Sequence, residues 1–315
     1  MNVTLLILTN NEEKHLERCI RSALPVADKV IVIDSLSTDN TVQIAKSLGA
    51  EVYENQWPGS QALQLNWALE SIAISSPWIL RLDADEYLMP ELAEEINRKL
   101  PEMDPKINGI YLKRRVYFMD RWIRFGGFYP TRILRIWRTG EGRFEKRWMD
   151  EHLIMKPGHT ASFKNDFVDA NLNDLTWWIE KHNHYATREA AEILNFKYHF
   201  LKEPSIGSKL ITNQDHYRRW FKEGLYLKLP KFVRPMLYFL YRFFVRFGFL
   251  DGTKGLIWHF LQGFWYRFLV DAKIYQIEKR ALKSGKPIKD ELEAVLGFTI
   301  EAKIENEMTE RLSGS

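Results

Sequence analysis

The chain holds a single cysteine in 315 residues. One thiol excludes an intramolecular disulfide framework and a cysteine-based zinc cluster, and it fits a reducing compartment. Cys19 recurs at helical spacing with Leu16, Ile20 and Ala23, as a small core residue would. A run of about 20 uncharged apolar residues is also missing, so no transmembrane span is expected. The first eight residues are apolar but too few for a secretory signal, and no basic residue precedes them. Internal repeats, low-complexity tracts and nucleic-acid-binding motifs are absent, so nucleic acid is not an expected partner.

What is present is a substantial apolar fraction. Hydrophobic residues make up 45% of the chain and aromatics 14%, enough to bury a sizeable core. The net charge of +4 conceals an asymmetry. Residues 217–280 carry 13 Lys+Arg against 4 Asp+Glu, a surplus of nine, which leaves the remainder at −5. An acidic front and a basic, aromatic back imply two surfaces with different partners.

The first hundred residues alternate strand and helix patterns. Strands are expected at 3–8, 29–33, 51–53 and 78–82, with helices at 12–24, 38–48, 61–74 and 90–100. Short β-rich runs separated by helices imply parallel crossovers in a doubly wound α/β sheet. Ligands bind such sheets at the carboxyl ends of the strands. Three of those ends are polar: Thr9-Asn10-Asn11-Glu12, Asp34-Ser35 and Asp83-Ala84-Asp85. Further strands are expected at 109–118 and 131–137, and a long helix at 177–201.

The chemistry concentrates in Asp83-Ala84-Asp85-Glu86, directly after the apolar run Trp78-Ile79-Leu80-Arg81-Leu82. Clustered carboxylates repel one another, and a divalent metal is a common relief. Mg²⁺ and Mn²⁺ take carboxylate oxygens and bridge to phosphate. The competing reading is a solvated loop with acidic residues near a helix N-terminus. A second acidic cluster, Asp150-Glu151-His152, lies about 65 residues further on. Arg132 and Arg135 suit phosphate as forked donors, or face solvent from a strand. His182 and His184 are two apart on a helix and do not share a face. Trp177 and Trp178 read as packing residues or as a sugar platform.

Late in the chain, Met236, Phe239, Leu240, Phe243 and Phe247 recur at helical spacing, as do Leu256, Phe260, Leu261, Phe264, Trp265 and Phe268. Basic residues, Arg242 and Arg246 among them, interrupt or flank these faces. Two aromatic, basic helices fit an interfacial anchor on an anionic membrane surface, or else pack on the preceding domain as core.

Four segments taken in order resemble the family 2 glycosyltransferases. They are Leu8-Thr9-Asn10-Asn11-Glu12-Glu13, Val32-Ile33-Asp34-Ser35-Leu36-Ser37-Thr38-Asp39, Gln64-Leu65-Asn66-Trp67-Ala68-Leu69 and Leu82-Asp83-Ala84-Asp85-Glu86. The third and fourth resemble the bacterial branch that builds lipopolysaccharide core and other surface glycans, the lipooligosaccharide β-1,4-glucosyltransferase-like enzymes. The resemblance implies a GT-A fold, a UDP-sugar donor, Mg²⁺ or Mn²⁺, and inversion at the anomeric carbon. By position, Thr9, Asn11, Glu12, Asp34, Gln64, Asn66, Asp83 and Ala84 would form the nucleotide-sugar site. Asp85, with Asp83 and His152, would hold the metal. Glu151 or Asp150 would be the base that takes the acceptor proton.

The expected organisation is a GT-A catalytic domain over 1–220, basic aromatic helices at a membrane interface over 221–282, and a charged helical tail over 283–315. The expected reaction moves a hexose, glucose favoured, to a lipid-linked or lipid A–core oligosaccharide. The expected place is the cytoplasmic face of the inner membrane, held peripherally. A nucleotidyltransferase is the alternative enzyme, but Thr9-Asn10-Asn11-Glu12 lacks the glycines of a phosphate loop. A non-catalytic sugar-nucleotide-binding protein is the alternative from another class.

Overall fold

The computed structural model describes residues 3–145, 153–200 and 226–296. Its centre is a mixed sheet of nine strands. The strands β1 (Val3–Thr9), β2 (Lys29–Asp34), β3 (Glu51–Glu54) and β4 (Trp78–Asp83) pair in parallel in the order β3-β2-β1-β4. Side chains alternate across a strand. Leu5 and Ile7 therefore enter one apolar layer with Leu16, Cys19 and Ile20 of α1 (Leu16–Ala23) and Leu92 and Ile96 of α4 (Pro90–Lys99). Ala45 of α2 (Thr41–Ser47) joins the same layer. Leu6 faces the other way, toward Ala62, Leu65 and Ala68 of α3 (Gln61–Ser71).

The parallel crossovers expected over the first hundred residues are present, and the sheet turns mixed beyond β4. There β8 (Thr131–Arg138) pairs antiparallel with β4 and with β6 (Ile107–Phe118). On β6 also sits β7 (Arg121–Ile123), antiparallel, while β11 (His159–Ala170) runs parallel to β6. The outermost strand is β5 (Glu86–Leu88), antiparallel to β11. Glu86 is thus the buried first residue of a strand rather than part of an acidic loop. A separate two-stranded ribbon joins β9 (Gly142–Phe144) to β10 (Leu153–Met155).

The rest is helical. Asp174 caps α5 (Leu175–Tyr198) by accepting from the Trp177 N–H. Next among the described residues are α6 (Val233–Leu240), which runs into a π-helical turn at Tyr241–Val245, and α7 (Gly252–Trp258). A π-helical stretch at His259–Trp265 joins α7 to α8 (Tyr266–Ser284), and α9 (Ile288–Leu296) follows. Ala186, Ala190 and Leu194 of α5 pack on Val270, Ile274 and Ile277 of α8. The expected boundary at 220 lies outside the described residues.

These helices dock on the sheet domain at one joint. Trp258 packs with Phe118, Ile123 and Trp178. Asp251 accepts the backbone N–H groups of Arg124 (3.1 Å) and Phe125 (3.0 Å). Arg242 Nε donates to the Gly126 carbonyl at 2.6 Å, and the Gly126 N–H donates to the Arg246 carbonyl at 2.9 Å. Gly126 has φ +69°, and a Cβ there would sit 2.0 Å from the ring of buried His259, so the joint requires glycine.

Candidate active site

Strand register brings the three polar strand ends together. Thr9 lies beside Asp34, and Leu8 beside Asp83. Above them opens a cavity of about 1200 Å³. Its floor carries Asp83, Asp85, Glu86 and Asp169, and one wall is a face of α5.

Asp83 meets arginines on both sides. Arg81 Nη2 donates to Oδ1 at 2.8 Å, and Arg135 Nη2 to Oδ2 at 3.0 Å. Arg135 also pairs with Glu86, whose other oxygen accepts the Asp83 N–H at 2.9 Å. Burial alone would raise the Asp83 pKa, but the two guanidinium groups outweigh it and hold the carboxyl well below the usual range. Glu86 goes the other way: burial, with Asp83 and Asp169 adding, pushes it up to about 8 against Arg135. Asp169, paired with Arg114 at 3.3 Å, is pushed up to about 6 by burial, with Asp85 and Asp83 adding. The carboxylate crowding expected from the sequence is present, and arginines supply much of its relief. Arg135, expected either on phosphate or in solvent, is buried within that cluster, whereas Arg132 is exposed and lines the cavity.

Asp85 differs from Asp83. Its Oδ2 accepts from Asn171 Nδ2 at 3.0 Å, and no described residue donates to its other oxygen. Among the described residues no group of three or more His, Cys, Asp or Glu could hold a metal. One carboxylate with an open oxygen in a crowded acidic site fits a cation that brings most of its ligands as water and phosphate, as Mg²⁺ does. It does not fit a cation caged by protein. Asp150, Glu151 and His152 lie outside the described residues.

Of the expected nucleotide-sugar residues, Glu12, Asp83 and Ala84 line the cavity. The others brace the loops around it. Asp34 is fully buried: it accepts from Thr9 Oγ1 (2.8 Å), Ser37 N (2.7 Å) and Ser37 Oγ (2.6 Å). Asn11, at φ 57°, accepts from the Thr38 N–H at 2.8 Å and ties the loop after β1 to the loop after β2. Gln64 is buried and bridges Ser35 and Asn55. Asn66 exchanges two 2.9 Å hydrogen bonds with the backbone of Phe144 and so fixes β9, the strand that leads to residues 146–152.

Sequence reasoning did not single out Arg81, Arg114, Asp169 or Lys181, all of which line the cavity. Arg81 left a signal. It lies two residues before Asp83, hence on the same face of the strand, inside an apolar run where an unpaired charge would be costly.

Residues 4–172 match the family model described as Glycosyl transferase family 2. The lipopolysaccharide core biosynthesis glycosyltransferase LpsC of Rhizobium meliloti is 28% identical over 299 residues, which cover 92% of this chain and 97% of that protein. An uncharacterized glycosyltransferase of Rickettsia typhi is 45% identical over 94 residues. That match covers 30% of this chain and only about a third (31%) of the rickettsial protein's length. Among solved structures, residues 1–349 of TarS from S. aureus align over 91% of this chain and 92% of that one, at 16% identity and a TM-score of 0.42.

Proposed function

The chain belongs to the family 2 glycosyltransferases, with their GT-A fold, and from that premise we propose an inverting transfer of a hexose, glucose favoured, from a UDP-sugar to a lipid-linked or lipid A–core oligosaccharide. The observation that carries the reading is the open oxygen of Asp85 at the base of a large cavity in which Asp83, Glu86 and Asp169 are met by arginines. A bound Mg²⁺ or Mn²⁺ on Asp85 would neutralise the diphosphate leaving group. Glu151 or Asp150, which follow the β9 strand clamped by Asn66, would accept the proton of the attacking hydroxyl.

The lipid side of the acceptor is supported by the helical region. No described helix is long and apolar enough to cross a membrane. Yet Phe244 and Phe247 are each 56% exposed, and Phe249 and Phe260 are 45% exposed. The rings of Phe243, Phe249 and Phe247 lie within 6.2 Å of one another in series, so the exposed aromatics form one ridge. This ridge lies in the segment with nine surplus positive charges. An apolar ridge within a basic segment fits the headgroup boundary of anionic lipid. We place the protein peripherally on the cytoplasmic face of the inner membrane. Trp258 and Gln262, which line the cavity, belong to the same helical region, so a lipid-borne sugar would reach the site from that side.

The test is a donor screen that measures UDP release with Mn²⁺, with Mg²⁺ and in EDTA, alongside Asp85→Ala. Release should require the metal, and Asp85→Ala should lose metal-dependent donor binding. If no UDP-sugar is turned over or raises the melting temperature, the reading fails.

A further inference from the structure

The α5 face that walls the cavity carries Trp177, Trp178, Lys181 and Tyr185 at three- and four-residue spacing. Lys181 Nζ lies 4.5 Å from the centroid of the Trp177 ring and 5.9 Å from that of Tyr185. The two aromatic rings hold the ammonium in place by cation–π attraction. No described carboxylate lies within ion-pair distance of it. Burial would lower the Lys181 pKa, yet Tyr185, Asp85, Glu12 and Asp83 together raise it. The ammonium therefore shares the cavity with the acidic floor and feels its charge. The floor's arginines are already engaged: Arg81 with Asp83, Arg135 with Asp83 and Glu86, and Arg114 with Asp169.

A carboxylate with an open oxygen and an ammonium with no ion-pair partner among the described residues, both lining one cavity, suit a bound group that is anionic toward Lys181 and cationic toward Asp85. A metal-bound diphosphate has that polarity. We propose that Lys181 is a catalytic residue of the transfer, donating N–H hydrogen bonds to the nucleoside diphosphate as it leaves. The inference rests on the glycosyl-transfer reading above. In the step, the sugar C1–O bond to the β-phosphate breaks and its electron pair stays on the phosphate oxygen. The acceptor oxygen bonds to C1, and its proton passes to the carboxylate base. Negative charge grows on the diphosphate, and a donor already fixed nearby stabilises it without reorganising. Lys181 lies beyond residues 4–172, so the family model does not cover this position.

The test pairs Lys181→Met, which keeps the aliphatic stem over Trp177, with Lys181→Arg; Lys181→Gln serves if the Met protein does not fold. UDP binding is measured by calorimetry with Mn²⁺ and in EDTA, without acceptor. Turnover is measured with saturating donor. Loss of a charge-assisted donor should weaken UDP binding about tenfold or more and cut kcat by about 10²-fold, with acceptor KM unchanged. The Arg protein should recover most of both. Unchanged UDP affinity in the folded Met or Gln protein overturns the proposal. So does a rise in acceptor KM alone, which would assign Lys181 to an anionic acceptor. If the wild-type protein binds no UDP under either condition, the glycosyl-transfer reading fails; if it binds and the variant matches it, only the role of Lys181 fails.

Discussion

Asp83 and Asp85 are two residues apart and chemically unlike. Asp83 spends both oxygens on Arg81 and Arg135, while Asp85 keeps one open toward the cavity. The pair was legible in the sequence, and so was the cost of crowding it. The division of roles was not, because it depends on Arg135 arriving from β8, a strand 52 residues away in sequence. His182 shows the same limit. Its ring stacks on Trp178 at 3.5 Å, and its Nδ1 donates to the Trp178 carbonyl at 2.8 Å. Burial, aided by Lys181, lowers its pKa to about 4 despite that hydrogen bond. In the unfolded chain the imidazole titrates near its ordinary value of 6.5. The folded pKa is the depressed one, so this contribution to stability is complete above about pH 6.5 and is lost as pH falls through about 4. After discounting for partial exposure, the loss should be on the order of 1 kcal/mol. Urea melts of wild type and His182→Gln between pH 7.5 and 4 should converge as pH falls; parallel curves would show that His182 titrates normally.

Elements place these residues, and some were easier to read than others. The apolar runs of β1, β2 and β4 announced themselves, since a strand covered on both faces is apolar at every position. The twelve residues of β11 did not, because His-Thr-Ala-Ser and Lys-Asn-Asp lack that pattern. Tertiary contacts supply what local propensity does not. Glu95 of α4 accepts the N–H groups of Lys164 and Asn165 within a register shift of β11, satisfying backbone that the ladder leaves unpaired. Asn66 does comparable work on β9. Expected at the nucleotide-sugar site, it holds the Phe144 backbone from both sides. Asn66→Ala would strand a buried N–H and a buried C=O, at a cost of about 1–3 kcal/mol. Because β9 leads to Asp150 and Glu151, kcat should fall at least tenfold while UDP affinity stays near wild type. A variant with normal kcat would show that the β9 clamp does not position the base.

At the scale of the molecule, the helical region presents two apolar faces with one composition. Trp258, Tyr266 and Val270 turn inward, while Phe244, Phe247 and Phe249 turn out. Periodicity showed apolar faces on these helices but not which face the sheet domain would cover. That choice is set by the joint at Gly126, where Arg242 is drawn onto a backbone carbonyl and Asp251 onto two N–H groups. With those polar groups committed inward, the aromatic ridge is left outside. Burying one such side chain in a bilayer is worth about 1.5–3 kcal/mol, so three together outweigh the loss of any single lysine contact. Replacing Phe244, Phe247 and Phe249 by serine should therefore release the protein from vesicles containing anionic lipid. Because the three rings are well exposed, the melting temperature should move by no more than a few degrees. Turnover of a soluble acceptor should survive and turnover of a vesicle-borne acceptor should fall. High salt alone should weaken wild-type binding only in part, since the ridge contributes an unscreened apolar share. If 0.5 M salt strips the wild-type protein completely and the triple serine variant binds as well as wild type, the contact is electrostatic and the ridge has another purpose.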